Sequence, residues 1–141
     1  MSNKQRNLSS DITIIKHYIK DLSFENLRDV NKQNFKKDEV KISDNINVIF
    51  NTYNDNNFSI LLKYSCDCIS KKDDKEIFII EIDYFGLFKL ENIANFSHDN
   101  LAKEGFIILY PHLKSVVEYI SQRGAPINIL MKEPDFNIIK G

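Results

Sequence analysis

Cys66-Asp67-Cys68 is the pattern in this 141-residue chain that most invites a chemical reading. Thiols at positions i and i+2 of a strand face the same side, as a pair of metal ligands would. The chain holds only these two cysteines. A closed zinc site would need further ligands converging from elsewhere, and two cysteines make no disulfide framework. Both are expected to be small buried hydrophobes. His17 lies in an alternating segment, and His98 and His112 lie near helix starts. None is marked by spacing as the base of a nucleophile, so all three read as structural or surface histidines. The four glycines form neither GxGxxG nor GxxxxGK[ST], so ATP-driven chemistry has no support. The carboxylates are scattered, with no two assigned as acid and base. The expectation is no catalytic residue, no metal and no cofactor.

The elements that carry these residues change period along the chain. Residues 1–10 are polar and read as a flexible arm, and residues 11–141 read as one domain. Ile12, Ile14 and Tyr18 alternate with Thr13, Ile15, His17 and Ile19, which predicts a strand closing at Leu22-Ser23-Phe24. Residues 25–38 are polar apart from Phe35 and few others, and are expected to loop. A second strand is expected from Val40 to Tyr53, with a bulge at Ser43-Asp44-Asn45 and with Ile46, Val48 and Phe50 sharing a face. Asn54 to Asn57 signals a turn. In the third strand Phe58, Ile60, Leu62, Tyr64, Cys66 and Cys68 share one face, opposite Ser59, Lys63, Ser65 and Asp67. A fourth strand runs from Glu76 to about Phe85. Ser97-His98-Asp99-Asn100 then caps a short helical turn ending at Gly105. An amphipathic helix follows, with Pro111 in its first turn and Gly124 as its C-terminal cap. The fold class is α+β: a four-stranded antiparallel sheet, a short helical segment and a main amphipathic helix.

Composition narrows the function classes. The net charge is -1, which gives no basic footprint for nucleic acid. The N-terminus has no apolar signal region and no apolar run reaches the ~20 residues that span a bilayer, which predicts a cytoplasmic protein without membrane insertion. The fourth strand is apolar on both faces except for Glu81 and Asp83: Phe78, Ile80, Ile82 and Tyr84 on one, Ile77, Ile79 and Phe85 on the other. One helix cannot cover both. Self-association is therefore expected, through Ile80, Ile82 and Tyr84 together with the Pro111–Gln122 helix.

Several segments are similar to those of a known family. Tyr18-Ile19-Lys20-Asp21-Leu22-Ser23-Phe24-Glu25 resembles the first-strand signature of the SecB protein-export chaperones. Glu81 to Phe88, with Gly86, resembles the family's fourth strand and following turn. Ile108-Leu109-Tyr110-Pro111 is similar to its entry into the main helix, followed by Ser121-Gln122-Arg123-Gly124 and by Pro134-Asp135-Phe136. The matches fall in order across about residues 11–136. The chain departs from the family in having Lys36, beside Phe35, where an aromatic is common, and the usual C-terminal helix and acidic tail are expected to be nearly missing.

The resemblance implies a homotetramer, a dimer of dimers, that binds unfolded precursor proteins without ATP and delivers them to SecA, the motor ATPase of the Sec translocase. It implies a docking surface for the basic, zinc-containing C-terminal segment of SecA at Asp21, Glu25, Ile79 and Glu81. It also implies an apolar client groove, with Phe35, Val40, Ile42, Ile127, Ile129 and Leu130 as its candidates. Two alternatives stand beside this: a SecB-like holdase for non-export clients, and a small-ligand-binding or hydrolytic α+β domain with a pocket beneath the helix.

Overall fold

The computed structural model describes residues 11–28, 35–54, 56–91 and 96–131. The expected arm at residues 1–10, the middle of the expected loop and everything after Met131 lie outside these. Among the described residues, strands β1 (Ile12–Asn26), β2 (Val40–Thr52), β3 (Asn57–Ser70) and β4 (Glu76–Leu90), with a 3-10 turn at Lys37–Glu39 before β2, precede one α-helix, α1 (His98–Gly124). All pairings are antiparallel and the spatial order is β1-β4-β3-β2. Strands β2 to β4 form a meander, and β1 closes against β4. The turns use Asn56 and Asp74 at φ of 61° and 59°, where short polar side chains best tolerate left-handed backbone.

Cross-strand register sorts the side chains onto two faces. The covered face carries Val48, Phe58, Ile60, Leu62, Cys66, Phe78, Ile80, Ile82 and Phe88, all buried. This is the face expected for β3. In β1 the expected alternation fails. Register shifts after Ile14 and after Ile19 each flip the phase. His17, Ile19 and Phe24 therefore point to the covered face, while Tyr18 turns to the open face against Phe85, with ring centroids 5.2 Å apart. The strand also runs two residues into the expected loop, where Glu25 pairs with Ile79 and Asn26 with Phe78. The expected bulge at Ser43 to Asn45 is absent, since β2 pairs with β3 in unbroken register.

The two expected helical segments are one 27-residue helix. Ser97 caps it, its hydroxyl accepting the Asn100 N–H at 3.2 Å. Gly105 does not stop it. A Cβ at Gly105 would lie 2.6 Å from Ile60 Cγ1, so the glycine serves close approach to the sheet. Gly124 is likewise in the helix without positive φ, and a Cβ there would meet the Phe24 ring at 2.5 Å. Pro111 lies inside the helix on its exposed side. It removes one helix hydrogen bond, while the buried neighbours Leu109, Tyr110 and Leu113 hold that stretch on the sheet.

Ring contacts and close approaches trace the path of the helix. His98 lies against Phe50 of β2, Gly105 over Ile60 of β3, Leu109 against Gly86 of β4 and His112 against His17 of β1. Those four strand residues form one row across the sheet. The helix then reaches Phe24 further along β1, where the Asn26 side-chain amide donates to the Gly124 carbonyl at 2.7 Å.

Candidate functional site

The open face has no helix of the described residues above it, and it divides into two halves. One half is an apolar row, Tyr18–Phe85–Leu61–Ile49, aligned by register across all four strands. Tyr18 and Ile49 are exposed, and Leu61 and Phe85 are half-buried. Large apolar side chains in a contiguous exposed row mark an interaction surface.

The other half is acidic. Asp21 pairs with Asp83, Ser23 with Glu81 and Glu25 with Ile79, all facing the same way. All four residues expected to dock SecA therefore fall on one patch of two adjacent strands. Asp21 and Asp83 stand directly opposite, a like-charge pairing that opposes folding. Lys63 of β3 relieves it, with its Nζ 3.0 Å from Asp83 Oδ2. Asp67 lies beside Ile79 on the same face. A cavity of about 290 Å³ opens here, lined among others by Asp21, Asn45, Asn47, Lys63, Glu81 and Asp83. Carboxylates and amides around one lysine suit a cationic partner far better than a hydrocarbon. The sequence showed which β3 residues oppose its apolar face, but the register that brings Lys63 and Asp67 to this patch, or aligns the apolar row, carries no local signal.

The expected oligomer contact is corrected. Ile80, Ile82 and Tyr84 are buried inside the single chain, beneath α1, and have no surface to offer a second copy. Length made the difference: one helix of 27 residues covers the face that a short one would leave open. The apolar side chains left outside lie elsewhere. Edge strand β1 exposes Ile15, Tyr18, Ile19 and Leu22, and the outer side of α1 exposes Ile107 and Tyr119.

The expected client groove is corrected in part. Val40, Ile127 and Ile129 are buried in the common core, Phe35 and Ile42 pack half-buried against it, and Leu130 is exposed. After α1, Ile127, Ile129 and Met131 turn inward to the core while Leu130 faces out.

Two polar constellations remain. Cys66 and Cys68 are free and fully buried. Burial, with the Asp44 carboxylate nearby, pushes the Cys66 thiol up to about 12, and burial pushes Cys68 up to about 11. Protonated thiols are neither nucleophiles nor ready metal ligands. The Tyr64 hydroxyl donates to Asp44 Oδ2 at 3.1 Å, and its ionisation is suppressed mainly by burial. The second constellation joins three elements. His17 Nδ1 is 2.6 Å from the Tyr84 hydroxyl, and the His17 and His112 rings lie 4.2 Å apart. Burial, then the nearby His17, lowers the His112 pKa from its ordinary 6.5. Among the described residues no group of three or more His, Cys, Asp or Glu is placed to hold a metal ion.

The family of preprotein translocase subunit SecB matches residues 4–139. The chain belongs to the SecB family. It is 31% identical over 134 residues to the protein-export protein SecB of Sphingopyxis alaskensis, covering 92% of this chain and 74% of that one. It is 29% identical over 133 residues to SecB of Orientia tsutsugamushi (strain Boryong), covering 89% and 78%. A SecB-like chaperone of Mycobacterium tuberculosis, solved in complex with an antitoxin peptide, superposes with a TM-score of 0.73 at 11% identity, covering 91% of this chain and 94% of that one. That likeness establishes the SecB-like fold. Membership gives the chain a chaperone role in protein export, and SecB proteins are chaperones rather than enzymes. Among the described residues no helix is long and apolar enough to cross a membrane.

Proposed function

We propose that this SecB-family chain is a cytoplasmic, ATP-independent holdase that binds unfolded precursor proteins and delivers them to SecA. The observation that carries the proposal is the open sheet face, where the row Tyr18–Phe85–Leu61–Ile49 adjoins the carboxylates of Asp21, Glu25, Glu81 and Asp83. The apolar row suits the hydrophobic side chains of an unfolded chain. The acidic patch suits the basic C-terminal segment of SecA. An unfolded polypeptide spans both a chaperone's apolar row and its neighbours, and several weak contacts along one chain raise avidity through effective concentration.

Assembly as a dimer of dimers extends these surfaces. The β1 edge, with Ile15, Ile19 and Leu22, and the outer stripe of α1, with Ile107 and Tyr119, are the surfaces proposed to meet other copies. They replace Ile80, Ile82 and Tyr84 in that role. A hydrolytic pocket beneath the helix finds no support, because that layer is filled by Phe58, Leu62, Phe88, Phe106, Leu109 and Leu113, none with any exposure.

Binding the unfolded state opposes its aggregation by mass action. Light scattering of a denatured precursor diluted into stoichiometric excess of this protein tests the proposal. Scattering should be suppressed equally with and without ATP. Unchanged scattering, or suppression only with ATP, would overturn the holdase reading.

A further inference from the structure

His17, Tyr84 and His112 belong to three elements and meet where α1 crosses the edge strand β1. The register shift after Ile14 is what brings His17 there, since unbroken alternation from Ile14 would leave it on the open face. The His17 and His112 rings lie 4.2 Å apart at 34°. Tyr84, buried at 6% exposure, orients both. Its hydroxyl is 2.6 Å from His17 Nδ1, and its ring runs parallel to that of His112, within 3° and 6.2 Å away. Three imidazole nitrogens are left over. Among the described residues, neither His17 Nε2 nor either ring nitrogen of His112 makes a hydrogen bond. His112 is exposed and His17 half-buried, so solvent reaches the pair. Burial and the nearby His17 disfavour the charged form of His112, and neutral imidazole is the form that ligates metals.

We propose that His17 and His112 form a binding site for a borderline divalent cation, Zn2+ or Cu2+, with Tyr84 as the residue that positions His17. Two ligands of one tetrahedral ion, each about 2.0–2.1 Å from it, stand about 3.3 Å apart. Rings at 4.2 Å reach that spacing through a nitrogen of each, once the exposed His112 turns about its own side-chain bonds. When His17 ligates through Nε2, its Nδ1 carries the proton and donates to the Tyr84 hydroxyl. Such a bond fixes both the tautomer and the plane of a ligating ring. Water completes the coordination, so the site is open, and it holds Cu2+ more tightly than Zn2+. Mg2+ and Ca2+, which need several oxygen ligands, do not bind. Far apart in the sequence, the two histidines carry no spacing signal; the register of β1 and the path of α1 make the pair. A bound ion ties the middle of α1 to the sheet edge. It lies between the two surfaces proposed to meet other copies, Ile15 and Ile19 of β1 and the outer stripe of α1. The site needs neither client nor SecA.

Equilibrium dialysis of the full-length protein at neutral pH against Zn2+ and against Cu2+, with Mg2+ as control, tests the proposal. One Zn2+ or Cu2+ should bind per chain, and no Mg2+. His17→Asn and His112→Asn should each weaken binding by more than about tenfold, while His98→Asn, at the other end of α1, should leave it unchanged. Tyr84→Phe keeps the ring and removes the hydroxyl. It should weaken binding about tenfold through the lost orientation of His17, with the melting temperature of the metal-free protein held. The electron paramagnetic resonance spectrum of Cu2+ on the wild-type protein should show coupling to two imidazole nitrogens. A Zn2+ dissociation constant above about 1 mM, or equal affinities in wild type, His17→Asn and His112→Asn, would overturn the proposal. A Cu2+ spectrum with fewer than two nitrogen couplings would do the same. That measurement, made on the wild-type protein, decides the matter if either histidine variant loses its fold.

Discussion

The two faces of β4 both carry Ile, Phe and Leu and have opposite fates. On one, Phe78, Ile80, Ile82, Phe88 and Leu90 are at most 1% exposed. On the other, Ile79, Glu81, Asp83, Phe85 and Leu87 remain partly or wholly open. The first face meets α1 and makes the fold. The second meets nothing among the described residues, and carries the apolar row and the acidic patch. A strand that is apolar on both sides thus marks a surface kept available for a partner, with the core on its other side. Glu81 and Asp83 mark the open side.

Neighbouring phenylalanines break the comparison most sharply. Phe88→Ala, on the covered face, should cost about 3–5 kcal/mol in urea unfolding, since a fully buried ring leaves a cavity. Phe85→Ala, three residues away on the open face, should cost about 1 kcal/mol. Its effect should appear instead as weaker protection of an aggregating precursor. Equal losses of stability would mean that the open face is part of the core after all.

Charge reversal on the open face sharpens the contrast. Glu81→Lys should change stability by no more than about 0.5 kcal/mol, as exposed substitutions do. It should weaken binding of the basic SecA C-terminal segment by about tenfold and flatten its salt dependence, because exposed charges act within a screening length. Titration of that segment against both proteins, at two salt concentrations, gives the answer. Equal affinities would leave the acidic patch without a docking role.

The smallest expected effect lies where β1 meets the helix. The folded protein holds His112 below its ordinary pKa of 6.5, through burial and the neighbouring His17. The unfolded chain therefore binds the proton more readily. The stability that His112 contributes is fully present above 6.5 and is lost as pH falls through its folded value. Melting temperatures at pH 7.5 and pH 5 should differ less in His112→Asn than in wild type.

Much of this was legible from periodicity. The apolar face of β3 from Phe58 to Cys68, the Asn-rich turn before it and the Ser97 cap are local features, set by alternation and by side-chain reach. Pairing is not local. The shift after Ile14 turned Tyr18 to the other face and the shift after Ile19 turned the phase back, and no residue type at those positions announces them. Gly105, Pro111 and Gly124 read as helix punctuation, because their usual roles are backbone roles. Here Gly105 and Gly124 are contact positions, where Ile60 and Phe24 approach too closely for a Cβ. The acidic residues Asp21, Glu25 and Glu81 were legible as types, and family resemblance grouped them. Only the register of β1 on β4 makes them one surface. The groove candidates Ile127 and Ile129 were legible as apolar, but the return of the chain that buries them, with the Ile129 N–H donating to Ser121 Oγ at 2.9 Å, has no sequence signal.

The central claim is that this chain holds unfolded polypeptides on surfaces its own fold leaves open. Native mass measurement of the wild-type protein, mixed without nucleotide with an unfolded precursor, tests it most directly. The account predicts the mass of four chains alone, and of four chains plus one precursor in the mixture. Single chains that carry no precursor at micromolar concentration would contradict it.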